Sequence, residues 1–198
     1  MERGGEVIVS DGGSSDASVD IAERAGCIIV QSLRGRARQM NAGAERAKGD
    51  AMLFLHADTR LPADALTLVR DALCDGQHAW GRFNVRIAGG RTTLRLVAWM
   101  MNERSRCTGI ATGDQAMFVT RAAFDGVGGF PDQPLMEDVE LSKRLRRISP
   151  PACLKQLVTT SARRWETHGV WRTILLMWRL RFDYWRGVPA GVLAEDYR

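Results

Sequence analysis

Short apolar runs alternate with longer amphipathic stretches over the first two thirds of the chain. A short continuous apolar run is typical of a buried strand, and apolar residues at every third or fourth position are typical of a helix. The predicted strands cover residues 6–10, 27–31 and 51–55, and the helices after them end at Gly26, Lys48 and Leu73. Strands that are apolar at nearly every position favour a parallel sheet with helices on both faces. The pattern therefore predicts an α/β domain.

The last part of the chain has a looser pattern. Residues 79–87 alternate between polar and apolar side chains, which is typical of a half-exposed strand. The remaining predicted elements are a helix over 92–104, a strand over 115–120, an amphipathic helix over 137–147, a strand over 153–158 and a long basic helix in the tail. Because no repeat or linker interrupts this order, all of residues 1–198 are predicted to form one domain.

The tail helix carries large apolar residues at helical spacing. They are Trp171, Leu175, Trp178, Phe182 and Trp185, and three of them are followed directly by Arg172, Arg179 and Arg186. This spacing predicts that the aromatic face packs on the domain while the arginines extend into solvent. The alternative is an interfacial helix over 170–186 that binds an anionic lipid surface.

Composition narrows the class of protein. With 198 residues, of which 45% are hydrophobic and 26% charged, the chain is typical of an ordered globular domain. It has no charge-free run near the ~20 residues that cross a bilayer, and its start does not resemble a secretory signal. The cysteines have neither metal-binding nor redox spacing, which favours free thiols in the cytoplasm. They are Cys27, Cys74, Cys107 and Cys153.

The chain is basic, with a formal net charge of +5 and an isoelectric point near 9.4. Such a charge suits phosphorylated ligands, nucleic acid or an anionic membrane. None of the zinc-finger, helix-turn-helix or RNA-recognition patterns accompanies it. A nucleic-acid-binding domain is therefore the least favoured interpretation, and no nucleic-acid partner is expected.

The first predicted strand leads into DGGSSD, residues 11–16. Ligands of parallel α/β sheets bind at the carboxyl ends of strands, so this segment is a candidate site. The carboxylate of Asp11 could accept a hydrogen bond from a base or a ribose, and Gly12 would let a flat ligand approach the backbone. A tight turn followed by a helix cap explains the same residues equally well.

The third predicted strand leads into HAD, residues 56–58, within LFLHADTRLP. Asp58 could hold a hard divalent cation, which prefers oxygen ligands and shares itself with phosphate oxygens. His56 lies two residues earlier and would face the same ligand from an extended chain. The structural alternative is that His56 ends the strand and Asp58 caps the next helix.

A pair of acidic residues, Glu137 and Asp138, opens the amphipathic helix over 137–147. Acidic residues at a helix start are stabilised by the helix dipole, which gives the pair a structural explanation. A carboxylate at this position is also suited to act as a general base.

Five segments in this order resemble a family-2 glycosyltransferase of the GT-A fold. They are DGGSSD, RGRARQMNAGAERAKGD, LFLHADTRLP, GDQAMFVTRAAFDGVGGF and PLMEDVELSKRLRR. The chain is most similar to the small bacterial radical-SAM/selenodomain-associated (arsenosugar-type) subgroup. The resemblance implies a Rossmann-like, mostly parallel sheet flanked by helices, with an amphipathic helix at the C-terminal end. By this resemblance, the strand and helix with which the family opens are expected to be lacking before DGGSSD.

The resemblance also implies a nucleotide-diphosphate sugar as donor and Mn²⁺ or Mg²⁺ as cofactor. Asp138 would be the general base of an inverting transfer, with Glu137 beside it. The implied donor-binding residues are Asp11, Gly12, Arg38, Asn41, His56 and Asp58, and the implied sugar and acceptor residues are Gly113, Asp114 and Gln115. Asp58 would bind the metal, and His168 is a second candidate ligand. His56 stands where the family usually has a carboxylate.

From this resemblance we expect donor binding by residues 1–90, acceptor binding and catalysis by 91–160, and a helical tail over 161–198. We expect a cytoplasmic protein, with peripheral contact at the inner face of the membrane as the consequence of an interfacial tail. Without the family's first strand and helix, transfer should be weak or absent, and an upstream extension should restore it. The alternatives are an impaired nucleotide-sugar-binding relative and a nucleotidyltransferase that releases pyrophosphate.

Overall fold

Helices follow most of the strands, as the alternation of apolar runs predicts. A computed structural model describes residues 5–197. Its first half contains β1 (Ile8–Asp11), α1 (Ser18–Arg24), β2 (Ile28–Gln31), α2 (Arg36–Arg46), β3 (Ala51–Leu53), β4 (Thr59–Arg60), α3 (Ala65–Cys74) and β5 (Trp80–Ile87). Its second half contains α4 (Thr92–Thr108), a 3-10 turn (Gly113–Gln115), β6 (Phe118–Thr120), α5 (Arg121–Gly126), α6 (Glu137–Leu145), β7 (Ala152–Thr160), α7 (Arg163–His168), α8 (Val170–Trp185) and α9 (Ala190–Tyr197).

The strands form two sheets. β1 and β2 make a parallel pair, and the other strands form a mixed sheet in the order β3-β6-β5-β7-β4. In that sheet β5 and β7 are parallel, and the other neighbours are antiparallel. Within residues 5–197 no ladder joins β1 to β3; Ile8–Ser10 and Ala51–Leu53 line one cleft instead. Residues 5–7, which precede β1, form no strand, and residues 1–4 lie outside the described part.

The prediction that residues 79–87 form a half-exposed strand is right about the strand and wrong about its exposure. β5 lies between β6 and β7, and α4 packs along it, so most of its side chains are buried. Even Arg82 is fully buried. Its guanidinium donates to Ser105 Oγ at 3.1 Å and to the Asn102 carbonyl at 3.0 Å, which allows a polar side chain to occupy an interior position.

Asn102 fixes α4 to β5. Its side-chain oxygen accepts from the Val85 amide at 2.8 Å, and its side-chain nitrogen donates to the Val85 carbonyl at 3.0 Å. Gln115 Nε2 lies 3.4 Å from the same Asn102 oxygen. The 3-10 turn is therefore attached to the central strand of the larger sheet through two side chains.

The tail differs from the prediction in two respects. The single long helix is three helices, α7, α8 and α9, because Gly169 and Gly187 adopt φ values of 81° and 92° that interrupt it. The prediction that the aromatic face packs on the domain is also wrong. The side chains that were expected to pack are 54% to 76% exposed, namely Trp171, Leu175, Trp178, Phe182 and Trp185.

The opposite face of α8 packs on the domain. Leu180 lies in a cluster with Leu135, Met136 and Val139, just before and within the start of α6, and with Leu193 of α9. The tail thus supports the segment that carries Glu137 and Asp138. Among residues 5–197, every helix is too short or too polar to span a bilayer.

Candidate active site

One cleft of about 2620 Å³ contains most of the candidate residues. It extends from the gap between β1 and β3, past the start of α6, to the tail helices. His56, Asp58, Asp114, Glu137 and Asp138 all line it. Residues from distant parts of the sequence therefore line the same cleft.

The start of α6 presents its two carboxylates beside the 3-10 turn. Asp138 accepts from the Gly113 amide at 2.8 Å through Oδ2 and from the Val139 amide at 2.7 Å through Oδ1. Burial raises the pKa of Asp138 above its usual range, although these two amide bonds act in the opposite direction. Burial, and then the Asp138 carboxylate, raise the pKa of Glu137.

The backbone is strained directly after the 3-10 turn and directly before α6. Among the described residues, Ala116 and Met136 are the non-glycine residues with positive φ, at 47° and 63°. Ala116 follows the 3-10 turn, and Met136 directly precedes Glu137. Strain of this kind is concentrated at functional sites, where the surrounding structure maintains it.

His56 and Asp114 form a pair across the cleft wall, with 3.4 Å between His56 Nδ1 and Asp114 Oδ1. Burial acts to lower the pKa of His56, but the Asp114 carboxylate has the larger combined effect and raises it above the usual value. Burial acts to raise the pKa of Asp114, whereas His56, Arg36 and Arg164 together lower it. A charged His56 and a charged Asp114 thus stabilise each other.

Gly113 allows this arrangement because it has no side chain. A Cβ at Gly113 would overlap with Nε2 and Cε1 of His56. Its amide also binds Asp138. Gly113 therefore brings the imidazole of His56 and the carboxylate of Asp138 to the same short turn.

Two arginines that the sequence interpretation did not select line the cleft near the carboxylates. Burial acts to lower the pKa of Arg36, but Tyr197 and then the carboxylates of Glu137, Asp114 and Asp138 raise it. Burial and Arg82 lower the pKa of Arg104 to about 10, while Asp138 acts in the opposite direction. In the segment RGRAR, residues 34–38, the resemblance implies Arg38 as the donor-binding arginine, whereas Arg36 lines the cleft.

Arg38 and Asn41 lie outside the cleft lining and hold a loop instead. Arg38 donates to both carboxylate oxygens of Asp132, at 2.8 and 2.9 Å. Asn41 bonds both the amide and the carbonyl of Phe130, at 3.0 and 2.8 Å. In this structure both side chains thus fix the loop before α6.

Gln115 lies behind the cleft lining, within the 3-10 turn. It is fully buried, its side-chain oxygen accepts from the Thr112 amide at 3.2 Å, and its nitrogen points to Asn102. In this structure its side chain stabilises the turn.

The DGGSSD segment forms a closed turn after β1. Asp11 accepts from the amides of Gly13 at 2.9 Å and Ser14 at 3.1 Å, and the Ser14 side chain and amide lower the pKa of Asp11. The side chain of Gln39 lies against Gly12. Asp11 and Gly12 do not line the cleft themselves, although Ser10 and Gln39 beside them do.

Asp58 and His168 are the two predicted metal ligands, and both are exposed and line the cleft. Within residues 5–197 no group of three or more His, Cys, Asp or Glu side chains is arranged to hold a metal ion. Mg²⁺ and similar hard cations are often held by one or two carboxylates together with substrate phosphates. The donor set fits that mode, with Asp58 as the protein carboxylate.

Comparison with known proteins gives one family. The family model described as Glycosyl transferase family 2 matches residues 4–126. A relative, the beta-monoglucosyldiacylglycerol synthase of Synechocystis sp., is 25% identical over an alignment of 174 positions, and the match covers 78% of this chain and 35% of that protein.

Solved structures of low sequence identity share the fold. One is the mannosyltransferase PcManGT from Pyrobaculum calidifontis, in complex with GDP-Man and Mn²⁺. Its TM-score is 0.61 at 18% identity, and the match covers 90% of this chain and 51% of that chain. Residues 1–349 of S. aureus TarS, in complex with UDP-GlcNAc, have a TM-score of 0.59 at 17% identity, with 79% of this chain and 49% of that chain covered. The GT-A-like α/β fold is thereby confirmed. The chain spans about a third to a half of these relatives' lengths.

Proposed function

The chain belongs to glycosyl transferase family 2, and on that premise we propose that it transfers a sugar from a nucleotide-diphosphate sugar to an acceptor hydroxyl. The observation that carries the proposal is the Asp138 carboxylate, held by the Gly113 amide in the cleft beside His56. The similar structures support the donor class, since they include complexes with GDP-Man and with UDP-GlcNAc.

Asp138 is the general base in this proposal. Its carboxylate takes the proton of the acceptor hydroxyl while the hydroxyl oxygen forms a bond to the anomeric carbon. The bond from that carbon to the diphosphate breaks on the opposite face, so the configuration inverts and a nucleoside diphosphate leaves. A raised pKa suits this role, because a base closer to the working pH accepts a proton more readily.

The leaving diphosphate gathers negative charge, and Arg36 and Arg104 line the cleft where that charge develops. Both are held near the Asp138 carboxylate and are available to bind phosphate oxygens. Asp58 would hold a divalent metal together with the diphosphate, and His168 is a further candidate ligand. When bound, Mn²⁺ or Mg²⁺ would neutralise the leaving group as a Lewis acid.

The test is the substitution Asp138→Asn. It should lower transfer by about 100-fold or more, the usual contribution of a general base, and leave donor binding almost unchanged. Release of UDP or GDP from the corresponding sugars, with diacylglycerol in mixed micelles as acceptor, measures transfer; equilibrium binding of UDP and GDP measures the donor site. Asp71→Asn, which alters an exposed carboxylate on α3, is the matched control.

An impaired nucleotide-sugar-binding relative is the second candidate function. It is favoured by the single carboxylate of HAD and by the unpaired edges of β1 and β3 in the described residues. In that case the wild-type chain binds UDP or GDP without transfer, and Asp138→Asn changes nothing measurable. Transfer by the wild type that is lost in Asp138→Asn would exclude this candidate.

The narrower assignments remain proposals. The relative named for a glucosyldiacylglycerol supports a lipid acceptor at a membrane surface, which the tail would contact. Residues 1–90 are proposed to bind the donor and residues 91–160 to bind the acceptor, with a separate tail over 161–198. This division is proposed from the positions of the candidate site residues in the sequence. Cytoplasmic placement and the arsenosugar-type subgroup rest on the sequence alone.

A further inference from the structure

α8 is apolar on two opposite sides, and the domain covers only one of them. Leu180 is fully buried on the covered side. On the other side, residues spaced by four, three, four and three positions form a continuous exposed stripe, which we call the aromatic stripe: Trp171, Leu175, Trp178, Phe182 and Trp185. An exposed aromatic surface of this extent marks an interaction site.

Arginines border the aromatic stripe on both sides. Successive residues of a helix are separated by about 100°, so Arg172, Arg179 and Arg186 follow one border, and Arg181 lies on the other. Arg179 is paired with acidic side chains, whereas neither Arg172 nor Arg186 has an ion pair within the described part of the chain. The stripe therefore presents aromatic rings between unneutralised cations.

We propose that the aromatic stripe binds the surface of an anionic lipid bilayer, with α8 lying in the plane of the interface. Indole rings are favoured at the level of lipid headgroups, where their apolar bodies and polar N–H groups are both satisfied. Anionic headgroups would neutralise the bordering arginines. A second copy of the chain is less suitable, because joining two stripes would bring two rows of arginines together.

The orientation has a consequence for the cleft. Trp178 of the stripe and Arg181 on its border also line the cleft. A bilayer bound to the stripe would therefore lie at the tail end of the cleft, within reach of a lipid acceptor. This consequence rests on the proposed function, whereas binding to the bilayer does not.

Vesicle co-sedimentation tests the proposal. The wild-type chain should sediment with phosphatidylcholine vesicles that contain one third phosphatidylglycerol and bind pure phosphatidylcholine vesicles at least about tenfold more weakly. Tryptophan fluorescence should shift to shorter wavelength on binding. Equal binding to both vesicles, or binding to neither, would overturn the proposal.

Two sets of variants locate the surface. Trp171→Gln combined with Trp178→Gln and Trp185→Gln should lower vesicle affinity by about tenfold or more. Arg172→Gln combined with Arg186→Gln should lower affinity for the anionic vesicles only, also by about tenfold. Ile21→Gln, at an exposed apolar position on α1, is the control and should bind as the wild type does. All changed residues are exposed, and circular dichroism verifies the fold.

A dimer is the competing outcome. If the wild type forms dimers in sedimentation equilibrium, the tryptophan variant is monomeric and neither binds vesicles, the stripe is an interface between copies and the proposal is wrong. Asp138→Asn separates this result from the failure of the proposed function, since it should bind vesicles normally even without transfer.

Discussion

The Gly113 amide donates to Asp138 Oδ2 at 2.8 Å, and the same glycine lies against the imidazole of His56. One small residue in the 3-10 turn thus connects His56, the first residue of the HAD segment, with the start of α6. Any added side chain would displace either the ring or the turn. This relationship makes the turn as important to the site as the carboxylate that it binds.

Gly113→Ala should lower transfer by about tenfold to 100-fold, because its methyl group would enter the space of His56 and shift the turn from Asp138. The overpacking should cost about 1–3 kcal/mol in the free energy of unfolding. Steady-state kinetics and thermal unfolding measure the two effects. In a His56→Ala background the methyl group has room, so the added cost of Gly113→Ala should be much smaller there.

Gly90→Ala is the control for this prediction, because no atom lies within 4 Å of a Cβ at Gly90. It should leave transfer and stability nearly unchanged. Equal losses from Gly113→Ala in the wild-type and His56→Ala backgrounds would show that the contact with His56 is not the cause.

Arg36 and Arg38 form a natural pair for a test of donor binding. Arg36→Ala should weaken binding of UDP or GDP by about tenfold or more, because it removes a cation from the cleft where the diphosphate would lie. Arg38→Ala should change nucleotide affinity less than about twofold, since the Arg38 guanidinium is bound to Asp132 outside the cleft lining. Isothermal titration calorimetry with UDP and GDP compares the two variants. If Arg38→Ala weakened nucleotide binding more than Arg36→Ala did, Arg38 would be the residue that contacts the donor.

The same pair shows why the sequence predicts some features and not others. Residues two positions apart on a helix point in directions about 200° apart, so only one of the two arginines can face a given ligand. RGRAR contains no information about which face α2 turns to the cleft, because that depends on its packing against β1 and β3. The sequence therefore indicates the region of the site, and the arginine that faces the cleft becomes apparent only from the packing.

The prediction of strands and buried faces from local sequence patterns has a similar limit. β1 and β3 lie within apolar runs of several residues, which predict the strands, although most of their side chains are only partly buried. β5 alternates in sequence, yet it is central, because its polar Arg82 finds partners on α4 that no local pattern reveals. The aromatic stripe on α8 shows the opposite error, since its sequence predicts burial and the residues are exposed. Helical spacing identifies an apolar face but does not show whether the domain covers it.

Asp58 is expected to decide the metal dependence of transfer. Asp58→Asn should raise the Mn²⁺ concentration for half-maximal activity by about tenfold or more, because an amide oxygen carries no charge for a hard cation. Titration of the chelated enzyme with Mn²⁺ and Mg²⁺ measures the change. Asp64→Asn, at another exposed carboxylate that lines the cleft, is the control and should keep the wild-type dependence. An unchanged titration in Asp58→Asn would show that the metal is held elsewhere or is not needed.

Glu137 should make the stability of the protein depend on pH. Burial raises its folded pKa above the usual 4.5, so between that value and the folded pKa the folded protein binds more protons than the unfolded chain. The free energy of unfolding must therefore fall as the pH rises through this window. Glu137→Gln removes the ionisation and the repulsion from Asp138, so the variant should unfold about 2–4 °C higher than the wild type at neutral pH. At a pH below 4.5 this advantage should disappear. Calorimetry across the range measures the difference, with Glu45→Gln at an exposed position of α2 as the control; a difference that does not change with pH would contradict the assignment.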